Sequence, residues 1–280
     1  MQTTQANQRS GPRNVFLAGM VGAGLFTRLG RKKDDWKKHL AELSRFGVSV
    51  MDNFLDGRWC DELIERFDAL ESIAKPYDND RRIFAIERIS SVHFHTYADS
   101  KILNEIGVQY TGVPQELLAT MAAKLYADPN ALGSGGGWHR DSFLPQYKAI
   151  CYLTDVTADN GPFEYIPGSQ RLKNKFLYDF RSRLRRGPVT SRYEQAEIDE
   201  YCSFFDITPR VFTAPRGTVI LVDSSGLHRG RPIKEGIRYA LTNYYKSSRL
   251  LFSERGRDGG IYGNIDETLK AYEEMTAARR

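Results

Sequence analysis

Cysteine is scarce in this chain: Cys60, Cys151 and Cys202 are odd in number and far apart. No pair has the close spacing of a zinc site, and such a set does not make a secreted disulfide framework. Reduced thiols in a cytoplasm are therefore expected. Long apolar runs are also lacking, since roughly 18–20 residues are needed to span a bilayer. The nearest, VFLAGMVGAGLF at residues 15–26, leads into Arg28, Arg31, Lys32 and Lys33 without an A-x-A-like cleavage site. That argues against a cleaved signal peptide. Its glycines fall as G-x-x-G-x-G at Gly19, Gly22 and Gly24, and no G-K-[S/T] occurs anywhere in the chain. Dinucleotide and phosphate-loop readings fall with them.

What is present is ordinary for a folded domain: 280 residues, 41% hydrophobic and 27% charged, enough to bury a core. A net charge of +5 and a pI near 9.0 suit an anionic substrate or an acidic surface. They fall short of a nucleic-acid binder's charge, so nucleic acid is disfavoured as a partner.

Residues 1–14 are polar and read as a disordered tail, with a single domain over 15–280. Its first part, 15–120, reads mainly as helix. Asp34-Asp35 opens a stretch through Trp36, Leu40 and Leu43, and Asp61 opens another through Leu63, Ile64, Phe67 and Leu70. Lys75-Pro76 marks a break, and a helix is expected after Pro114. From about 121 to 250 the texture changes to short β-like runs at Lys148–Leu153, Phe163–Ile166, Gly217–Val222 and Arg238–Tyr245. Short strands with turn chemistry between them argue for an all-β sandwich or barrel core, a double-sheet jelly roll among them. An insertion at 171–210 interrupts the core, helical over Tyr193–Phe205, and a helix over 264–280 closes the chain.

The segment GGGWHRDSF at 135–143 sets His139 and Asp141 two apart. On a strand or its end, such residues point to one side. His228 is the only histidine downstream, 89 residues after His139, at the exit of the apolar strand Gly217–Val222. Two imidazoles and a carboxylate on one face leave the opposite metal positions open, as oxygen-activating iron(II) requires. Arg238 opens a strand ten residues after His228, and a guanidinium suits a dicarboxylic co-substrate better than an ammonium does. Taken alone, H-x-D on a loop is uninformative, and Arg238 reads equally as a strand-edge ion-pair residue.

The surroundings lift both. W-H-R-D-S at 138–142, L-T-D-V at 153–156, D-N-G-P at 159–162, I-P-G-S-Q at 166–170, and H-R-G with Arg238 downstream together resemble the phytanoyl-CoA dioxygenase family. The resemblance covers roughly Met121–Tyr245. It implies a mainly β fold with flanking helices around a double-stranded β-helix (jelly-roll, cupin-like) core. It also implies Fe(II) on the matches His139, Asp141 and His228, 2-oxoglutarate anchored by the match to Arg238, and O2 as co-substrate. Family members often carry Ser two residues after the distal histidine, where this chain has Gly230. On the strand Met121–Tyr126, which the family uses around its ligands, period two puts Lys124 and Tyr126 on one face as further contacts. Relatives that halogenate lack the carboxylate, so the presence of Asp141 favours hydroxylation or a related oxidation.

Other signals are weaker. His93 and His95 form a second i, i+2 pair without a following glutamate, and substrate contact or structure is the better reading. Arg171, Lys173, Lys175, Arg181, Arg183, Arg185, Arg186 and Arg192 oppose one acid, Asp179, within 171–192. They fit a substrate lid over an anionic small molecule or lipid-linked substrate, or equally a solvated basic face. Residues 15–33 allow peripheral association with the inner membrane face, or form a buried helix. Candidate substrates are the lipopolysaccharide sugar Kdo, an acyl-CoA or a natural-product scaffold. The rival reading from another class is a catalytically inactive jelly-roll binding module.

Overall fold

The computed structural model describes residues 35–89, 92–128, 130–133, 135–178, 191–247 and 259–278. The described residues from Trp36 onward form one compact unit. Expectations for the polar tail, for residues 15–33 and for Asp179–Arg186 of the insertion lie outside the described residues.

The core is two antiparallel sheets. The larger holds β1 (Val48–Met51), β2 (Lys75–Tyr77), β3 (Asp80–Ile83), β4 (Gln115–Tyr126), β5 (Tyr147–Tyr152), β8 (Val219–Asp223) and β10 (Ile237–Ser247), in the order β1-β8-β5-β10-β4-β3-β2. The smaller holds β6 (Phe163–Tyr165), β7 (Arg210–Phe212) and β9 (His228–Gly230), in the order β7-β6-β9. Helices α1 (Asp35–Phe46), α2 (Gly57–Ala69), α3 (Ile86–Ile89), α4 (Val92–Ala98), α5 (Lys101–Thr111), α6 (Gln195–Phe205) and α7 (Gly259–Ala277) surround them.

Strand parity decides what each face meets. Outward from the large sheet, Tyr147, Ala149, Cys151, Val219, Leu221, Tyr239 and Leu241 join one apolar cluster with Leu63 and Phe67 of α2, Phe94 and Tyr97 of α4, and Leu103 and Ile106 of α5. Inward, Tyr152, Ile220, Val222 and Ala240 meet Phe163, Tyr165 and Phe212 of the small sheet. Burial on both faces explains why β5 and β8 read as nearly unbroken apolar runs rather than as alternation.

Several boundaries differ from those read in the sequence. Residues 15–120 are not uniformly helical: β1 pairs with β8 at one sheet edge, and β2 and β3 extend the other beyond β4. The Lys75-Pro76 break is the edge strand β2, where a proline costs no ladder bond. Pro114 opens no helix. The helix lies before it, ended at Gly112 with φ 70°, and pairing of β4 with β10 from Gln115 to Tyr126 claims the segment as strand. The second helix is capped by Asp56, which accepts from the Trp59 N–H at 2.9 Å, while Asp61 sits inside it. Tyr193–Phe205 shortens to α6, which begins with a reciprocal Glu194–Glu197 capping box. The closing helix starts earlier than read, at Gly259. Among the described residues no helix is long and apolar enough to cross a membrane.

Gly217, with φ +81°, accepts from the N–H groups of Phe54 and Leu55, so a Cβ there would meet the Leu55 carbonyl oxygen at 1.9 Å. Gly112 also has a positive φ, +70°, but faces open space. Gly217→Ala should therefore cost about 3 kcal/mol or more, and Gly112→Ala only about 1 kcal/mol. Chemical denaturation of both variants checks the order, and equal losses would refute it.

Candidate metal centre

The backbones of His139 and His228 pair directly. His139 N–H donates to the His228 carbonyl, and His228 N–H to that of His139, each at 2.9 Å. Asp141 N–H donates to Ser224 O at 3.0 Å. Two segments 89 residues apart in the chain are thereby stitched side by side, and their side chains converge. His139 Nε2 lies 3.6 Å from Asp141 Oδ1, and His228 Nε2 lies 3.6 Å from Asp141 Oδ2. The imidazole centroids are 4.3 Å apart.

The tautomers follow from the neighbours. His139 Nδ1 faces the Gly137 carbonyl and His228 Nδ1 the Gly226 carbonyl, both at 2.9 Å. A carbonyl only accepts, so each Nδ1 carries its proton and each Nε2 offers a lone pair. This is the orientation that metal-binding imidazoles take. One ligand atom from each of His139, Asp141 and His228 lies within 4.8 Å of the others. The donor set therefore fits a divalent metal with open positions.

Electrostatics keep the three ready to bind. Burial pushes the His228 pKa down from 6.5 to about 4, against the opposing pull of Asp141. Burial lowers His139 in the same way. Burial pushes Asp141 upward, but Lys148 and the two imidazoles outweigh it and hold the carboxyl well below its usual range. Lys148 Nζ donates to Asp141 Oδ2 at 2.7 Å.

The triad opens into a cavity of about 270 Å³ between the sheets. Its walls include Met121, Ile150, Tyr152, Phe163 and Val222, with Arg82, Lys148, Arg192 and Arg238 as cations and Asp141 as the carboxylate. Arg238 is 5% exposed, and its Nε is buried without a hydrogen-bond partner among the described residues. Burial lowers its pKa from the ordinary arginine value. A buried guanidinium N–H with no acceptor is costly, and a ligand carboxylate would satisfy it. Gly230 also lines the cavity and brings no side chain to help.

Lys124 and Tyr126 do not reach the cavity, which corrects the expectation that they face it. Parity turns them to the outer face, where Lys124 Nζ binds Asp68 and Glu71 at 2.9 and 2.7 Å and Tyr126 Oη donates to Glu71 at 2.5 Å. Met121, Ala123 and Leu125 are the inward residues of β4. The pair at 93 and 95 falls on helix α4, and His95 meets Asp99 at 3.4 Å. Sequence reasoning missed Lys148, Arg82 and the cavity position of Arg192. A lysine at an inward position of the buried run YKAICY was the available signal for the first. The insertion divides: Lys175 is buried, donating to Phe143 O and Ser225 Oγ at 2.7 Å each. Arg192 sits at the cavity, donating to Gly135 O at 2.6 Å.

Two imidazoles and one carboxylate turned into a two-sheet β cavity, with the far side open, are the signature of non-haem iron oxygenases. The phytanoyl-CoA dioxygenase family profile matches residues 43–234. The chain belongs to that family, and it is a 2-oxoglutarate-dependent iron oxygenase with a jelly-roll core. No curated protein matches it. Among solved structures it resembles the epimerase SnoN in complex with Fe3+, alpha ketoglutarate and nogalamycin RO, at TM-score 0.58 and 14% identity over 78% of this chain and 85% of that one. HygX from Streptomyces hygroscopicus, with nickel, 2-oxoglutarate and hygromycin B bound, follows at 0.55 and 16% over 76% and 87%. EctD from S. alaskensis, with bound Fe, stands at 0.57 and 18% over 78% and 79%.

The depressed histidine pKa sets a pH dependence. Metal-free folded His228 stays neutral down to about pH 4, whereas the unfolded residue takes a proton below about 6.5. Unfolding therefore binds a proton in that window, and stability is lost as pH falls through it. His228→Gln should make the acid limb of the metal-free protein shallower by up to about 1.4 kcal/mol per pH unit. Denaturant titrations between pH 7 and 4 test this, and an unchanged slope would count against it.

Proposed function

We propose that this oxygenase hydroxylates a C–H bond of an anionic small molecule, with release of succinate and CO2. The observation that carries the reading is the cavity's charge: Arg82, Lys148, Arg192 and Arg238 line it against the single carboxylate of Asp141. Part of that charge is already matched, because Arg82 binds Asp80 through Nε at 2.7 Å and Lys148 binds Asp141. Arg238, whose Nε has no acceptor among the described residues, is the cation for the distal carboxylate of 2-oxoglutarate, and Arg192 adds its positive charge at the cavity wall while donating to the Gly135 and Gly136 carbonyls.

His139, Asp141 and His228 would hold the iron. Bound there, iron with 2-oxoglutarate and O2 supplies the oxidant by oxidative decarboxylation of the co-substrate. The chain's own part is orientation and exclusion of water. Arg238 fixes the co-substrate's far end with charge-assisted hydrogen bonds, while Phe163, Ile150 and Val222 keep the cavity walls apolar. SnoN and HygX structures carry nogalamycin RO and hygromycin B, which supports a natural-product scaffold as the alternative substrate class.

A second substrate reading, a lipid-linked molecule, is favoured by one surface. Phe143, Leu144, Leu172, Phe176 and Leu177 are all exposed, Phe176 by 61%. Phe143 packs edge-on against Phe176 two residues from Asp141. Flotation with anionic liposomes decides this reading: Phe176→Asp with Leu177→Asp should abolish binding, and no binding by the unmodified protein would end it.

For the reaction itself, protein supplied with Fe(II), ascorbate and 2-oxoglutarate should form succinate. Asp141→Ala should abolish this, and Arg238→Gln should raise the 2-oxoglutarate KM by about 10-fold or more, the worth of charged hydrogen bonds. Absence of both succinate and metal binding in the unmodified protein would favour an inactive binding module.

A further inference from the structure

The Asp141 carboxylate sits symmetrically between the two histidines. Oδ1 is 3.6 Å from His139 Nε2, and Oδ2 is 3.6 Å from His228 Nε2. Nothing in that pair of distances chooses one oxygen over the other as a metal donor. Carboxylates bind metals through one oxygen or both, and a two-oxygen grip fills a position that 2-oxoglutarate or O2 needs.

The symmetry is broken by one residue. Lys148 Nζ lies 2.7 Å from Oδ2, and no described residue plays the same part at Oδ1. Lys148 is held in turn: it stands on β5 directly opposite Val222 and Tyr244, with its ammonium 4.2 Å from the Tyr244 ring centroid. Its strand neighbours on the same face are Ile150 and Tyr152, and the residue is only 8% exposed. An ammonium in such a wall carries a large desolvation cost. A methionine of similar length would pack there without it, so simple packing does not account for a lysine.

We propose that Lys148 is a positioning residue that keeps Asp141 a one-oxygen ligand, engaging Oδ2 and leaving Oδ1 to the metal. The inference rests on the iron site assigned above. Its consequence is that metal binding and co-substrate binding respond differently to loss of the lysine. A Lys148→Met chain frees Oδ2, so metal is held as well as before or more tightly, while the position offered to 2-oxoglutarate is compromised.

The test uses the full chain under anaerobic conditions. Co(II) affinity is measured by calorimetry, and 2-oxoglutarate affinity of the Fe(II)-loaded protein by its charge-transfer absorption. For Lys148→Met, Co(II) affinity should stay within about 3-fold of wild type or tighten. The 2-oxoglutarate affinity should fall about 10-fold or more, the scale typical of residues that orient a metal ligand, with a weakened or shifted absorption band. Lys148→Arg, which restores a donor to Oδ2, should recover the band. If Lys148→Met misfolds by circular dichroism, Lys148→Leu, which likewise lacks a donor, carries the same expectation. Unchanged 2-oxoglutarate affinity and band would overturn the proposal, as would a 10-fold loss of Co(II) affinity, which marks a scaffold role. A wild-type chain that binds neither Co(II) nor Fe(II) would instead remove the iron site itself.

Discussion

The structure depends on the reciprocal backbone pairing of His139 with His228. Each N–H···O bond measures 2.9 Å, and together they join the loop that follows β4 to the start of β9. The Asp141 N–H bond to Ser224 O continues the same pairing toward the third ligand position. With these bonds, side chains distant in sequence point to one spot, and each ring is fixed by a carbonyl two residues before it. The same two-residue offset recurs at both rings.

Charge in the cavity follows the same logic of offset. Asp141 is kept ionised chiefly by Lys148 despite burial. The histidines stay neutral because burial outweighs the attraction of Asp141. A metal ion entering such a site displaces no proton from the imidazoles at neutral pH, which favours binding. Arg192 and Arg238 also line the cavity, beside the apolar Ile150, Phe163 and Val222. In such surroundings a ligand anion gains far more than it would in water.

Family membership rests on the profile over residues 43–234, whereas the solved structures, at 14–18% identity, speak to fold alone. The profile starts upstream of the motifs that carry the resemblance, and the sheet explains why. β1, β2 and β3 complete the large sheet from the N-terminal side, so the core extends beyond the β-rich run that begins near residue 121.

That His139, Asp141, His228 and Arg238 belong to one cavity was legible in the sequence, because metal and carboxylate binding call for such residue types at such spacings. The flanking turns, D-N-G-P and I-P-G-S-Q, gave those residues a context that composition could not. Strand parity was legible too, but not its sense. Period two placed Lys124 and Tyr126 together, and only the packing of β4 showed that their face meets Asp68 and Glu71 rather than the cavity. The strand at Gln115 was hidden because its partner, β10, lies more than a hundred residues away. Lys148 was hidden for a related reason: a lysine in an apolar strand has meaning only when its acceptor is known. The sequence by itself determined the chemistry available, two imidazoles, a carboxylate and a guanidinium. The tertiary structure alone decided which faces turn inward, because a face is buried by contacts between strands that no local pattern records.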